Sequence, residues 1–302
     1  MKYLVVSTAV IDEIKLAGEN RSIAVLGGAG VYALAGMKVW HDDAMLITGI
    51  GEDFLAEQGD WFTQNGLTTA GLSVRDKNTA HTVIQYFADG ERVETPIYGP
   101  GHYLRLTATA ADIARHCAAD TAGVYVFRDL EQPFWQALLR QKAIHGFKLM
   151  WEVDARATVP ERLPELLHLL AHVDILSLNR QEALTLFATD TVEEAIVQLQ
   201  KLAIPLIYLR LGADGAYLIT DKARQHIPPV PGVQVVDPTG AGNSSSGAVL
   251  AGYCEGYDLI TIGLMGTISA ALCLAQYGPP PLLDHGLRRA AQQQLAELRR
   301  EL

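Results

Sequence analysis

Short apolar runs rich in β-branched residues alternate with stretches of helical period through most of the chain. A strand buried on both faces reads as an unbroken apolar run, and an amphipathic helix repeats its apolar positions three and four apart. This alternation therefore predicts a parallel sheet with helices on both faces, an α/β fold. The candidate strands are 3–7, 45–48, 123–127, 148–153, 174–178, 206–210 and 216–220, and the clearest helices are 54–65, 132–145, 162–170, 192–202, 244–255 and 258–276. One region breaks the rhythm. His81 to Phe87 alternates, Ala88-Asp89-Gly90-Glu91 reads as a hairpin turn, and Arg92 to Thr95 alternates again. The expectation is a β lid inserted at 72–105, joined by part of 11–22, on an α/β core formed by 1–71 and 106–302. The stretch 287–302 is amphipathic and rich in Gln, Arg and Glu, the pattern of a solvated surface helix.

Composition narrows the class. The 302 residues are 49% hydrophobic and 19% charged, with mean hydropathy +0.13, which excludes a disordered or collagen-like chain. With 34 acidic against 24 basic residues the formal net charge is −10, so phosphate backbones and anionic membrane surfaces lose their electrostatic attraction. The expected partner is a small molecule, with neither nucleic acid nor membrane. Cys117, Cys254 and Cys273 lie far apart with no C-x-x-C pair, which fits a reducing cytoplasm. The apolar start runs at once into Asp12 and Glu13 without a small-residue cleavage site, so it is expected to be a buried first strand rather than an export signal. No apolar run approaches the ~20 residues of a membrane span.

The most informative segment is Val235-Val236-Asp237-Pro238-Thr239-Gly240-Ala241-Gly242-Asn243, where a strand ending in an acid runs through a Gly-Ala-Gly turn into a long helix. Unpaired amides and the macrodipole make such a helix start an anion site, and glycine lets a phosphate approach the backbone. The same residues also suit a start capped by Thr239 or Asn243 and packed tightly through its glycines. A second fingerprint, Gly28-x-Gly30-x-x-Ala33 after the run 22–26, suits an NAD(P)-binding oxidoreductase. The acid that should close the following strand about 20 residues on is missing, because 45–48 ends in Gly49 with Glu52 and Asp53 late. No Gly-Lys pair exists for a P-loop, and Ser244 lacks a G-x-S-x-G setting. Glu165, His168 and His172 share a helical spacing without an evident further ligand, and Trp61, Trp135 and Trp151 are expected to pack.

Asp237-Pro238-Thr239-Gly240-Ala241-Gly242-Asn243 followed by Ser244-Ser245-Ser246-Gly247 resembles the C-terminal motif of the ribokinase-like, PfkB-type carbohydrate kinases. Gly27-Gly28 leading into Tyr32–Gly36 resembles the family's N-terminal substrate motif, and Gly49-Ile50-Gly51-Glu52-Asp53-Phe54 its Gly-x-x-Gly-x-Asp-x-Phe element. Asn179-Arg180-Gln181-Glu182 is similar to the Asn-x-x-Glu element, and 210–216 to the strand-turn-strand near the nucleotide. The resemblance spans roughly residues 3 to 280. It implies a three-layer α/β/α sandwich with a small β lid and ATP-dependent phosphorylation of a hydroxyl on a small sugar, polyol or nucleoside. The implied cofactors are ATP and Mg²⁺, with a monovalent cation as a further candidate, and lids of this family often pair into homodimers. By position, Asp12 at the end of the first strand, with Gly27, Gly28 and Tyr32, would meet the substrate. Gly240, Ala241 and Gly242 would form the anion hole. Asn179 and Glu182 would hold Mg²⁺ through water, and Arg210, Gly212, Gly215, Asp237 and Thr239 would surround the nucleotide.

Two positions depart from the family pattern. Asn243 stands where the family carries an aspartate as general base, and an amide cannot accept that proton, a contribution typically ~10²–10⁴-fold. Tyr32 stands where a substrate-contacting asparagine is usual. The chain is thus either a kinase that uses another carboxylate, such as Asp12 or Asp237 through water, or an impaired homologue that senses nucleotide or sugar. Deamidation at Asn243-Ser244 is a further route, and Asn243→Asp is expected to raise turnover on an otherwise sound scaffold.

Overall fold

A computed structural model describes residues 1–18, 21–87 and 92–302. In chain order the strands are β1 (Tyr3–Val6), β2 (Val10–Lys15), β3 (Ser22–Gly27), β4 (Ala44–Gly51), β5 (Leu72–Asp76), β6 (His81–Tyr86), β7 (Arg92–Pro96), β8 (Gly123–Arg128), β9 (Lys148–Val153), β10 (Ile175–Asn179), β11 (Leu206–Arg210), β12 (Ala216–Ile219) and β13 (Arg224–Ile227). Nine of them form the main sheet in the order β13-β12-β11-β10-β9-β8-β1-β4-β5, and β3-β2-β6-β7 form a second sheet of four. The main sheet is parallel from β5 to β11, and β12 and β13 add antiparallel strands at one edge.

The helices are α1 (Ala29–Trp40), α2 (Phe54–Gln64), α3 (Gly99–Leu106), α4 (Ala110–His116), α5 (Gln132–His145), α6 (Leu163–Leu170), α7 (Arg180–Phe187), α8 (Val192–Gln200), α9 (Ala241–Cys254), α10 (Leu259–Leu274) and α11 (His285–Glu301). Alternation along each strand serves two cores. Tyr3 and Val5 of β1 join apolar residues of α1, α2, α9 and α10, whereas Leu4 and Val6 join those of α4 to α8. Both faces are therefore covered, as the unbroken apolar runs require, and the fold is the expected three-layer sandwich. No described helix is long and apolar enough to cross a membrane.

The second sheet differs in membership from the expected insertion. Leu72–Asp76 pairs with β4 at the edge of the main sheet, while Val10–Lys15 and Ser22–Gly27 supply half of the small one. Short alternating segments carry the same pattern in either sheet, so their partners are set by long-range packing. The turn expected at 88–91 lies outside the described residues. The link from core to lid is pinned by Asp53, which accepts the Thr79 amide at 2.8 Å and its hydroxyl at 2.6 Å. This gives the Gly49–Phe54 element a structural task.

Helix α9 begins at Ala241, three residues before the expected start, and is buried along Ser244–Gly252 between the sheet, α1 and α10. A side chain at Gly247 would overlap the Ala33 carbonyl of α1. Gly247→Ala is expected to lower the unfolding temperature by about 5 °C, since overpacking costs ~1–3 kcal/mol. Thermal unfolding by circular dichroism checks this, and an unchanged midpoint would show that the two helices separate freely.

Candidate active site

Loops and helix starts gather at the C-terminal ends of the parallel strands, where α/β sheets hold their ligands. There a cavity of about 920 Å³ is lined from three sides. The core contributes Thr8, Arg128, Asp129, Asp154 and Arg156, the lid Asp12, Thr82, Ile84 and Glu94, and the start of α9 with the turn before it Thr239, Gly240 and Asn243. Gly28 and Tyr32 line it too. Of the residues expected around the substrate, Asp12, Gly28, Tyr32 and Asn243 thus share one void, with Gly27 packed against the Asp12 carboxylate. Asp12 corrects the sequence expectation in one respect: it lies within lid strand β2, not at the end of β1.

Gly240 is the N-cap of α9, with φ +76°, and no side chain caps the helix. The reading of Thr239 or Asn243 as caps is therefore overturned, and the helix start carries its partial positive charge uncapped by any side chain. A side chain at Gly240 would overlap the Tyr32 ring, which packs over this turn. Asp237 shapes the approach. Its Oδ1 accepts the Thr239 amide at 2.9 Å and the hydroxyl of lid residue Tyr86 at 2.7 Å, and it is 1% exposed. It ties the lid to the turn before the helix and does not line the cavity.

Behind the helix start lies a buried polar network. Glu152, at 2% exposure, accepts from Tyr125 Oη at 2.9 Å through Oε2 and from Asn243 Nδ2 at 3.0 Å through Oε1. Arg210 places Nη1 at 3.0 Å from the same Oε1 and Nη2 at 3.7 Å from Glu182 Oε2. Burial, reinforced by the Glu152 charge, pushes the Tyr125 hydroxyl far above the usual phenol value, so it stays a donor. Burial opposes the Arg210 charge, but Glu152 and Glu182 outweigh it and hold its pKa above the ordinary value. Burial raises the Glu182 carboxyl, with Arg210 working against the rise.

Asn179 and Glu182 also form the capping box of α7: the Asn179 side chain accepts the Glu182 amide at 2.9 Å, and Glu182 Oε2 accepts the Asn179 amide at 2.7 Å. Glu182 Oε1 takes part in none of these bonds. One guanidinium thus serves two carboxylates, and the excess negative charge with an uncommitted carboxylate oxygen suits a hard divalent cation. No cluster of three protein ligands occurs among the described residues, so the cation would arrive with phosphate oxygens. Gly212 and Gly215 form the turn between β11 and β12, and neither they nor Asn179, Glu182 or Arg210 line the cavity.

Sequence reasoning passes over Glu152 and Tyr125, although a lone acid inside Leu149-Met150-Trp151-Glu152-Val153 is a signal, since a buried charge needs a partner. It also passes over Asp154 and Arg156, paired at 2.8 Å on the cavity wall. Burial opposes the Asp154 charge, yet the Arg156 hydrogen bonds hold its carboxyl below the usual range. The dinucleotide reading is overturned: Gly28–Ala33 follows β3, which runs antiparallel to β2 in the lid rather than opening a parallel βαβ unit. His172 lies beyond the end of α6. Trp135 and Trp151 stack edge-on in the core at 4.7 Å.

The model of the pfkB family of carbohydrate kinases matches residues 17–284. The cytidine kinase of Thermococcus kodakarensis is 26% identical over 273 residues, 86% of this chain and 91% of that protein. Matches to some other curated kinases span less than half of their length. An adenosine kinase structure from Sinorhizobium meliloti superposes with a TM-score of 0.79 at 22% identity, over 97% of this chain and 98% of the other. Arabidopsis thaliana ribokinase in complex with ribose and ATP gives 0.78 at 20% identity, over 97% and 98%.

Proposed function

This chain belongs to the pfkB family of carbohydrate kinases, and from its site we propose that it transfers the terminal phosphoryl group of ATP to a hydroxyl of an uncharged sugar, polyol or nucleoside. The observation that carries this reading is the single cavity shared by Asp12 of the lid and the uncapped start of α9 at Gly240. Asp12 accepts hydrogen bonds from acceptor hydroxyls and orients them toward the helix start. The amides of Gly240 and Gly242, and that of Ala241 once it leaves its long 3.4 Å bond to the Pro238 carbonyl, meet the charge that builds on the transferred group, the largest single contribution such a site makes. Glu182, with Asn179, would hold Mg²⁺ through water. Bound with ATP, the cation neutralises phosphate charge. The lid closes one side of the cavity and keeps water from competing with the acceptor.

The wall supports an uncharged acceptor. Among the described residues, Asp12, Glu94, Asp129, Glu131 and Asp154 outnumber Arg128 and Arg156, and both arginines are engaged, with Glu131 and with Asp154. An acceptor carrying its own phosphate or carboxylate meets a field of its own sign. Tyr103, Phe127 and Tyr32 add apolar surface suited to a nucleobase or the flat face of a sugar.

The test is ADP release over a panel of sugars, polyols and nucleosides, each with an anionic analogue, beside thermal shift. Saturating ATP and Mg²⁺, at about a hundred times Kd, is expected to raise the unfolding temperature by about 5 °C. ADP release is expected with uncharged acceptors only. Stabilisation without release from any acceptor would replace the kinase reading by that of a nucleotide sensor.

A further inference from the structure

We propose that Glu152 is a positioning residue matched to Asn243: its buried carboxylate holds the amide with the oxygen toward the cavity and makes an aspartate at that position unworkable. Only the attacking hydroxyl and the turnover measurements below rest on the kinase reading. The hydrogen-bond inventory fixes the amide. Nδ2 has two protons and meets two acceptors, Glu152 Oε1 at 3.0 Å and Tyr125 Oη at 3.2 Å. The Tyr125 proton is already donated to Glu152 Oε2 at 2.9 Å. A reversed amide would set its oxygen against a carboxylate and against a hydroxyl with no proton to give. Asn243 also lines the cavity, so its Oδ1 is left to accept the hydroxyl that attacks.

Glu152 is itself fixed. Arg210 Nη1 lies at 3.0 Å from Oε1, and that guanidinium is seated directly under Gly242, where a methyl group would overlap Nη1. The anion next to the helix start therefore sits on β9 rather than on α9. An aspartate at this position would bring a second carboxylate oxygen to roughly the distance now spanned by the amide hydrogen bond, and two carboxylates that close share one proton. Asn243 is in this sense a fitted partner, and the expectation that Asn243→Asp raises turnover leaves Glu152 out.

The experiment is a double-mutant cycle of Asn243→Asp and Glu152→Gln in the full chain. Asn243→Asp is expected to lower the unfolding temperature by about 5 °C at pH 8, and by less at pH 5. The sign follows from one carboxyl of the pair having a folded pKa above its unfolded value of about 4, so stability is lost as pH rises toward the folded value. In the Glu152→Gln background the same change is expected to cost less than half as much, because the glutamine amide can donate to the introduced carboxylate. Turnover of Asn243→Asp at pH 7 is expected to be about tenfold below the unsubstituted protein. Its rise with pH is expected to shift to lower pH when Glu152→Gln is added. A pH-independent temperature shift, equal costs in both backgrounds, or Asn243→Asp turning over faster than the unsubstituted protein would each overturn the proposal. If the unsubstituted protein releases no ADP with any acceptor, the kinase reading fails, and the thermal cycle still decides the pairing.

Discussion

Replacing Arg210 by glutamine is expected to lower the unfolding temperature by about 10 °C at pH 7, with most of the loss recovered near pH 5. Arg210 lies 3.0 Å from Glu152 and 3.7 Å from Glu182, and both acids are withdrawn from water. Removing one partner of a buried ion pair costs ~3–5 kcal/mol, mostly because a charge is left uncompensated. Here two are left. The Glu182 carboxyl, with its opposing cation gone, then rises further above its unfolded value, so the folded state binds more protons than the unfolded state and stability falls as pH increases between the two. Glu182 already shows the direction, since burial raises its carboxyl even with Arg210 present. Melting curves at pH 5, 6, 7 and 8 check the slope, and a deficit of constant size would assign the loss to packing instead. Arg210→Lys should fall between the two, keeping the charge without the planar fork that reaches both acids.

The sheet was legible because its strands face two cores, and a doubly buried strand is written mostly in apolar residues. Runs such as Tyr3–Val6 and Leu206–Arg210 admit few other readings. The lid was legible only in part. Val10–Lys15 follows β1 with little to mark the change of sheet, and its partners β3 and β6 are chosen by packing that no local pattern records. The helix start proposed as the anion hole could be read because it is contiguous, Gly240 to Gly242 in one turn. The network beneath it could not, because Glu152 meets Tyr125 and Asn243 from 27 and 91 residues away. What the sequence did offer was an oddity, an acid inside an apolar strand. Asn179 and Glu182 show the opposite limit: the motif was visible, but its capping-box role emerges only with helix α7 in place.

Asp12→Asn is expected to reduce kcat/KM for the acceptor by about 10²-fold or more, since each hydrogen bond to a charged group is worth ~1.5–3 kcal/mol and an oriented diol makes two. Asp12 is 4% exposed within β2, and Gly27 on the neighbouring strand, lacking a side chain, leaves room for its carboxylate. Asparagine keeps the volume and removes the charge, so the lid should fold and the nucleotide-dependent thermal shift should persist. The division between kcat and KM then separates two roles. If Asp12 only holds the acceptor, KM rises at unchanged kcat, because the lost contacts exist in the bound ground state as well as in flight. If Asp12 accepts the proton through water, kcat falls at constant KM and the acidic limb of the pH profile disappears. Asn243 cannot supply that limb, and Glu152 is sealed behind it, so a limb that vanishes with Asp12 would identify the lid as the source of the base. Unchanged turnover with an unchanged pH profile would remove Asp12 from the site and place acceptor recognition on Asp129 and Asp154 of the opposite wall.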